Sequence, residues 1–293
     1  MIEPPELRDD CFALPPGVDW VPVPDVFELL QKAMGVRVKT ETAALAKANG
    51  RFLAEPLVAE RASPPFANSA IDGYGFAGYQ SADAGPVYLR LLEGRAAAGY
   101  PFDQRVSEGC AVRILTGAVL PDGVDTVVLQ EDVNTDGMQI AFHGPLKIGK
   151  NTRLGGEDIK VGQVLFDKGH LLCPTDLAVL ASVGISEFNV FAPLRVGVLS
   201  TGDELSEPGQ DIQKGEIYDA NRHMLLSQAE SIGCLTVDFG IVADDASALR
   251  SLLNEASANC DVLLTTGGAS TGDEDHMSAL LRSEGSLSMW RIA

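Results

Sequence analysis

Two stretches of the chain, LSTGDEL (199–205) and LLTTGGASTGDED (263–275), each put hydroxyls, glycines and then carboxylates directly after an apolar run. Glycines let backbone amides approach a ligand, and amides and hydroxyls at the carboxyl end of a strand suit a phosphate or another oxyanion. Carboxylates alone repel such a ligand, so they ask for a divalent cation between them; Mg2+ takes oxygen ligands and bridges to phosphate. One such loop is accounted for by ordinary turn and cap residues. Two at equivalent positions of one sheet favour phosphate plus magnesium. EIYDANRHML (216–225) adds Asp219 just before a helix. Asn221 is the better cap there, which leaves Asp219 without a structural duty.

The middle of the chain carries three more candidates. PPFANSAIDGYGF (64–76) sets a single acid, Asp72, among small residues, two glycines and three aromatics. RILTGAVLPDGVDTVVLQED (113–132) places Thr116-Gly117 after a strand-like run, then a Pro-Asp-Gly turn and a second strand, and reads as a hairpin. RLGGEDIKVG (153–162) joins Arg153 to Glu157 and Asp158; a charged turn accounts for it as well as an anion site does. Lys147, Lys150 and Arg153 form a basic cluster, either a solvated face or a place to hold an anion.

The elements that must position these residues fall into several domains, since 293 residues with 45% hydrophobic content can build more than one core. Residues 1–24 hold six of the sixteen prolines and read as a tail. DVFELLQKAM (25–34) and ETAALAKANG (41–50) space apolar residues at helical intervals. VYLRLL, CAVRIL, DTVVLQ and MQIAFH, between 64 and 149, are short β-rich runs separated by turn residues. PTDLAVLASVG then returns to a helix with Gly184 past its end. Residues 25–63 and 150–192 are therefore expected to form one elongated α+β domain with a β domain, 64–149, inserted in it. From 193 to 293, RVGVLS, LTVDFGIV, DVLLTT and LSMWRI alternate with helices at about 221–232, 245–258 and 272–284. That pattern predicts a mostly parallel α/β sheet, with Gly233 and Gly285 as C-caps and Thr271 with Glu274 as a capping box. The chain stops inside the last of these strands, so it reads as truncated.

Composition narrows the function. A net charge of −19 argues against a nucleic-acid or anionic-membrane surface. Cysteines 11, 110, 173, 234 and 260 make an odd count without a CxxC pair and read as small core residues. The four histidines form no HExxH or i, i+4 pair, so a metal here would take oxygen ligands. No run approaches the ~18 apolar residues of a membrane span, and MIEPPELRDD lacks the basic and apolar regions of a signal peptide. A cytoplasmic protein is expected.

Taken together, NSAIDGYGF, RILTGAVLPDGVDTVVLQED, GGEDIKVG, STGDEL, IYDANR and TTGGASTGD resemble, in order and spacing, the molybdopterin molybdenumtransferase family, that is, the MoeA proteins and the E domain of gephyrin. The resemblance covers roughly residues 25–293. It implies a multidomain fold: an elongated domain, an inserted β domain, a three-layer α/β/α molybdopterin-binding domain and a C-terminal β-barrel that this chain lacks. It implies a cytoplasmic homodimer that inserts molybdate into adenylylated molybdopterin and releases AMP with Mg2+. Partners would be the molybdopterin adenylyltransferase and proteins that mature molybdoenzymes. Adenylyl transfer to molybdopterin, or a scaffold that binds the pterin without turnover, are the competing readings.

Matched motif by motif, the resemblance assigns functional roles to Asp72, Thr116, Asp158, Glu204, Asp219 and Asp275. Thr201, Gly202, Asp203, Gly267, Gly268, Ser270 and Arg153 would bind substrate, and Glu204 with Asp275 would hold magnesium. Asp72 and Thr116 would work with the α/β domain, in this family across the dimer. Ile71, Gly75 and His276 stand where the family usually has Met, Ala and Tyr. In the family the last strand leads into a Lys-Pro-Gly loop that contacts the anionic substrate, and that loop is not part of this sequence.

Overall fold

The computed structural model describes residues 21–78, 85–267 and 276–285. The chain divides into two compact units, one running Thr40–Phe191 and the other formed by the chain before and after it. No described helix is long and apolar enough to cross a membrane.

In the unit Thr40–Phe191, a six-stranded mixed sheet has the spatial order Thr126–Leu129, Gly73–Phe76, Cys110–Ile114, Pro86–Ala96, Gln139–His143, Asn134–Thr135. Period-2 apolar residues supply its core, with Phe76, Leu89, Ala111, Val128, Ile140 and Phe142 packed together. The expected hairpin within 113–132 does not form. Strand Gly73–Phe76 lies between Cys110–Ile114 and Thr126–Leu129 and runs antiparallel to both. The connection between those two is too long for a tight turn and instead wraps the incoming segment, with Ser69 N–H on Ala118 O and Leu120 N–H on Ala67 O. Glycine is what admits the middle strand. A Cβ on Gly73 would lie 1.9 Å from Val128 O, and one on Gly75 would lie 2.9 Å from Val124 Cγ1. The alanine usual at Gly75 would thus need Val124 to move.

Around this sheet, short antiparallel pairs join early and late segments of the same unit: Thr40–Ala44 with Glu187–Phe191, Leu57–Val58 with Val164–Phe166, and Asn68–Ser69 with Thr152–Arg153. Their core holds Leu53, Leu57, Leu172, Leu180 and Phe188. The helix expected over 41–50 is instead a strand, Thr40–Ala44, followed by a single 3-10 turn, Leu45–Lys47. The first helix, α1 (Val23–Ala33), does form in the other unit, opening on Pro22 and Pro24. Alanine propensity over so few residues is weak. The ladder to Glu187–Phe191, with Ala43 packed in the same core as Phe188, outweighs it. Helix α2 (Pro174–Ser182) follows the expected pattern, and Gly184 after it has φ +77.

In the second unit, strand Arg195–Thr201 is central and parallel to both Leu235–Val242 and Val262–Thr266. Its alternation builds three layers. Val196 and Val198 pack against Ala229 and Leu225 of α3 (Asn221–Ser231), while Leu199 packs against Leu249 of α4 (Ala246–Asn259) and Met277 and Leu280 of α5 (His276–Glu284). The expected strand 287–292 and the capping pair Thr271 and Glu274 lie outside the described residues. The reading of the cysteines as core residues holds in part, since Cys110 and Cys234 pack against buried apolar clusters. Cys110, Cys234 and Cys260 are half-buried and Cys173 is exposed, its Sγ 3.0 Å from Thr175 Oγ1 at the start of α2; Cys11 lies outside the described residues.

Candidate functional site

The inserted strand explains the first constellation. Gly73 pairs with Ile114, so Asp72 arrives opposite the residues that follow Ile114. Asp72 Oδ1 accepts the Thr116 amide at 2.7 Å and the Thr116 hydroxyl at 2.6 Å, across 44 residues of sequence. Buried Ser69 fixes the approach by donating its hydroxyl to Ile71 O at 2.7 Å. The Thr116 hydroxyl, then its amide and the nearby Arg113, hold the Asp72 carboxyl below its ordinary pKa. Among the described residues, no hydrogen bond reaches its other oxygen, Oδ2.

Arg113, Gln130 and Glu131 complete the surroundings, and sequence reasoning had not singled them out. Arg113 donates to Gly73 O at 3.0 Å and to Gln130 Oε1, and its guanidinium lies 5.1 Å from the Tyr74 ring centre. Gln130 in turn donates to Glu131 Oε1 at 2.9 Å. The available signal was that all three lie inside the quoted motifs.

Arg153 pairs with Asn68 in the short ladder leading to Asp72. It is already committed, with Nη2 2.8 Å from each oxygen of Asp158 and Nε 3.5 Å from Glu157. The 153–158 segment is therefore a closed charged turn in this conformation, further fixed by Leu154 N–H on Glu157 Oε2 and Asp158 N–H on Ser63 O.

The second constellation sits at the carboxyl end of the parallel sheet. The chain leaves the central strand toward one neighbour through α3 and reaches the other through α4, so the strand order reverses there, the place where open α/β sheets bind ligands. Thr201 is buried and donates to Asp244 Oδ1 at 2.6 Å, and Asp203 accepts the Asp244 amide at 3.1 Å. Gly202 has φ +150, and a Cβ there would meet Glu204 Oε2 at 2.5 Å, so the exposed Glu204 carboxylate is folded back over this glycine. Gly267, φ +91, would bring a Cβ to 2.1 Å from Thr201 O. Gly267 is thus fixed by close approach to backbone and Gly202 by its positive φ, and Gly267 and Thr201 are brought together. Gly268, Ser270 and Asp275 lie outside the described residues.

Asp219 departs most from expectation. The residue before α3 is Ala220, Asn221 is already helical, and it is Asp219 whose Oδ1 accepts the Arg222 amide at 3.2 Å. Asn221 Nδ2 donates to Thr266 Oγ1 at 3.0 Å instead. Asp219 is 2% exposed, and its Oδ2 takes Arg222 Nε at 2.9 Å. The structural duty that the sequence failed to supply is therefore present. Burial pushes the Asp219 carboxyl up, while the Ser200 hydroxyl and Arg222 pull it down by more, leaving it below its ordinary value. Ser200 Oγ is buried and outside hydrogen-bond geometry, so its effect on Asp219 is one of proximity rather than of a formed bond.

All candidate donors here are oxygens, the kind Mg2+ takes. Among the described residues, no group of three His, Cys, Asp or Glu is placed to hold a metal. Of the expected pair, Glu204 is described and Asp275 is not.

Comparison with known proteins sets these constellations in context. A family model described as the MoeA N-terminal region, domain I and II, matches residues 21–184, and one described as a probable molybdopterin binding domain matches 197–293. The molybdopterin molybdenumtransferase of Haemophilus influenzae is 38% identical over 257 residues, covering 87% of this chain and 63% of its own length. That of Nostoc sp. is 34% identical over 263 residues, covering 89% of this chain and 60% of its own. The chain thus spans about three fifths of the length of these relatives. Two crystal structures of molybdopterin biosynthesis MoeA protein from Pyrococcus horikoshii superpose with TM-scores of 0.79 and 0.78 at 30% and 34% identity. They cover 90% and 85% of this chain, and the match takes in 66% and 67% of theirs.

Proposed function

The chain belongs to the MoeA family, and from that premise we propose that it completes the molybdenum cofactor, inserting molybdate into adenylylated molybdopterin with release of AMP. The observation that carries the reading is the meeting of Asp72 with Thr116. Two motifs far apart in sequence converge on one carboxylate, which is held ionised and, among the described residues, keeps an oxygen free to accept from a ligand. In the α/β unit, Gly202 and Gly267 keep backbone bare of side chains at the strand ends, so that the oxyanions of the pterin phosphate can approach it. Mg2+, held by Glu204 and Asp275, would neutralise the pyrophosphate and make acids around an anionic substrate workable. The working protein is proposed to be a cytoplasmic homodimer supplied by a molybdopterin adenylyltransferase.

The test is incubation of the full-length protein with adenylylated molybdopterin, molybdate and Mg2+. AMP release that needs molybdate supports the reading. ATP consumption with free molybdopterin would replace it with adenylyl transfer, and tight pterin binding with neither reaction would replace it with a scaffold.

A further inference from the structure

Arg222 stands on the first turn of α3, buried to 3% exposure, and its guanidinium is shared among carboxylates from three segments. Nε donates to Asp219 at 2.9 Å, Nη1 to both oxygens of Asp238 on strand Leu235–Val242 at 2.6 and 2.5 Å, and Nη2 to Glu207. A buried guanidinium persists only when its donors are taken, and its planar fork serves three acceptors in a way an ammonium cannot. Asp238 is itself fixed by the amide of Gly240 at 2.8 Å, so the strand end of the network is rigid.

The segment 202–219 leaves the sheet at Gly202, carries Glu204, and returns at Asp219. It closes on itself through the parallel pair Leu205–Ser206 with Ile217–Tyr218, reinforced by Ile217 N–H on Glu204 O and Asp219 N–H on Ser206 O. Glu207 lies just beyond that pair, and its side-chain partners among the described residues are Arg222 and, at 3.8 Å, His223. Arg222 therefore ties the outgoing arm through Glu207 and the returning arm through Asp219 to one helix and one strand. We infer that Arg222 is a positioning residue, which sets where Glu204 stands at the carboxyl end of the sheet without itself touching substrate. This rests on the function proposed above. Asp219 belongs to the same device, since both its oxygens are engaged by Arg222.

Glu207→Ala removes the acceptor, releases one arm only and leaves Arg222 paired with Asp219 and Asp238, so the fold survives the change. In the full-length protein, it should keep the wild-type melting temperature and raise amide exchange across 202–219 about tenfold. It should also lower kcat for AMP release about tenfold, with KM held within about threefold. Arg222→Lys should recover part of what Arg222→Met loses in kcat per folded molecule. Wild-type exchange over 202–219 in Glu207→Ala overturns the inference. So does unchanged kcat despite faster exchange, or a change confined to KM. If the wild-type protein releases no AMP, the proposed function fails, and the exchange comparison alone decides whether Arg222 positions the segment.

Discussion

Asp72 and Asp219 come from motifs of equal standing in the two units, yet their surroundings are opposite. Asp72 is partly exposed, engaged on one oxygen by Thr116 and, among the described residues, open on the other. Asp219 is buried, and Arg222 engages both of its oxygens. A carboxylate of the first kind can accept from or repel a ligand at little structural cost. One of the second kind holds the scaffold and reaches the chemistry through what it fixes. Membership in a motif does not separate these roles; burial and the count of unspent lone pairs do.

The sharpest way to break the comparison is to remove the partner of the buried acid. Arg222→Met leaves Asp219 as an uncompensated buried charge and should destabilise the α/β unit by about 3–5 kcal/mol in urea unfolding. A loss of under about 1 kcal/mol would mean that the acid cluster is solvated and that Asp219 is as available as Asp72. The converse change is Asp72→Asn, whose amide oxygen can still accept both Thr116 hydrogen bonds while the charge disappears. Its melting temperature should not move, whereas AMP release should fall about 100-fold or more. An active variant would show that Asp72 shapes the turn rather than the reaction.

Much of this arrangement was legible beforehand, and its failures are instructive. The apolar alternation of RVGVLS, LTVDFGIV and DVLLTT sufficed for three parallel strands, because each run pairs with a neighbour of the same character. ETAALAKANG misled because its alanines favour a helix only until a partner strand offers a ladder. RILTGAVLPDGVDTVVLQED misled because a Pro-Asp-Gly turn is local, while the insertion of Gly73–Phe76 between its arms is set by contacts from outside the motif. That insertion is also what brings Asp72 to Thr116. Arg222 was passed over because, in sequence, an arginine on a helix reads as surface. Only the three carboxylates converging on it reveal its burial.

The contrast extends to pH. Asp219 and Asp238 both sit below their ordinary carboxyl values: burial raises each, and each is pulled down by more, Asp219 by the nearby Ser200 hydroxyl and by hydrogen bonds from Arg222, Asp238 first by hydrogen bonds from Arg222. A carboxylate whose folded value is depressed contributes stability that is complete above its unfolded value, near pH ~4, and is lost as pH falls through the folded one. Asp72 is lowered too, but its exposure makes its share small. Acid should therefore open the α/β unit first, seen as earlier loss of exchange protection in 195–266 than in 86–143 as pH drops below ~4. Simultaneous loss would erase the distinction between the two acids.

The smallest effect tests the finest point of the comparison, whether Asp219 relies on Arg222 alone. Ser200 Oγ is buried, unpaired in geometry, and close enough to favour the Asp219 charge. Ser200→Ala removes that hydroxyl from the central strand Arg195–Thr201. If proximity is all it supplies, removal of an unsatisfied buried hydroxyl offsets the lost attraction, and unfolding free energy should stay within about 1 kcal/mol of wild type. A larger loss would mean that the hydroxyl bonds the carboxylate in solution, giving Asp219 a third donor and making it a more thoroughly structural residue than its two contacts to Arg222 imply.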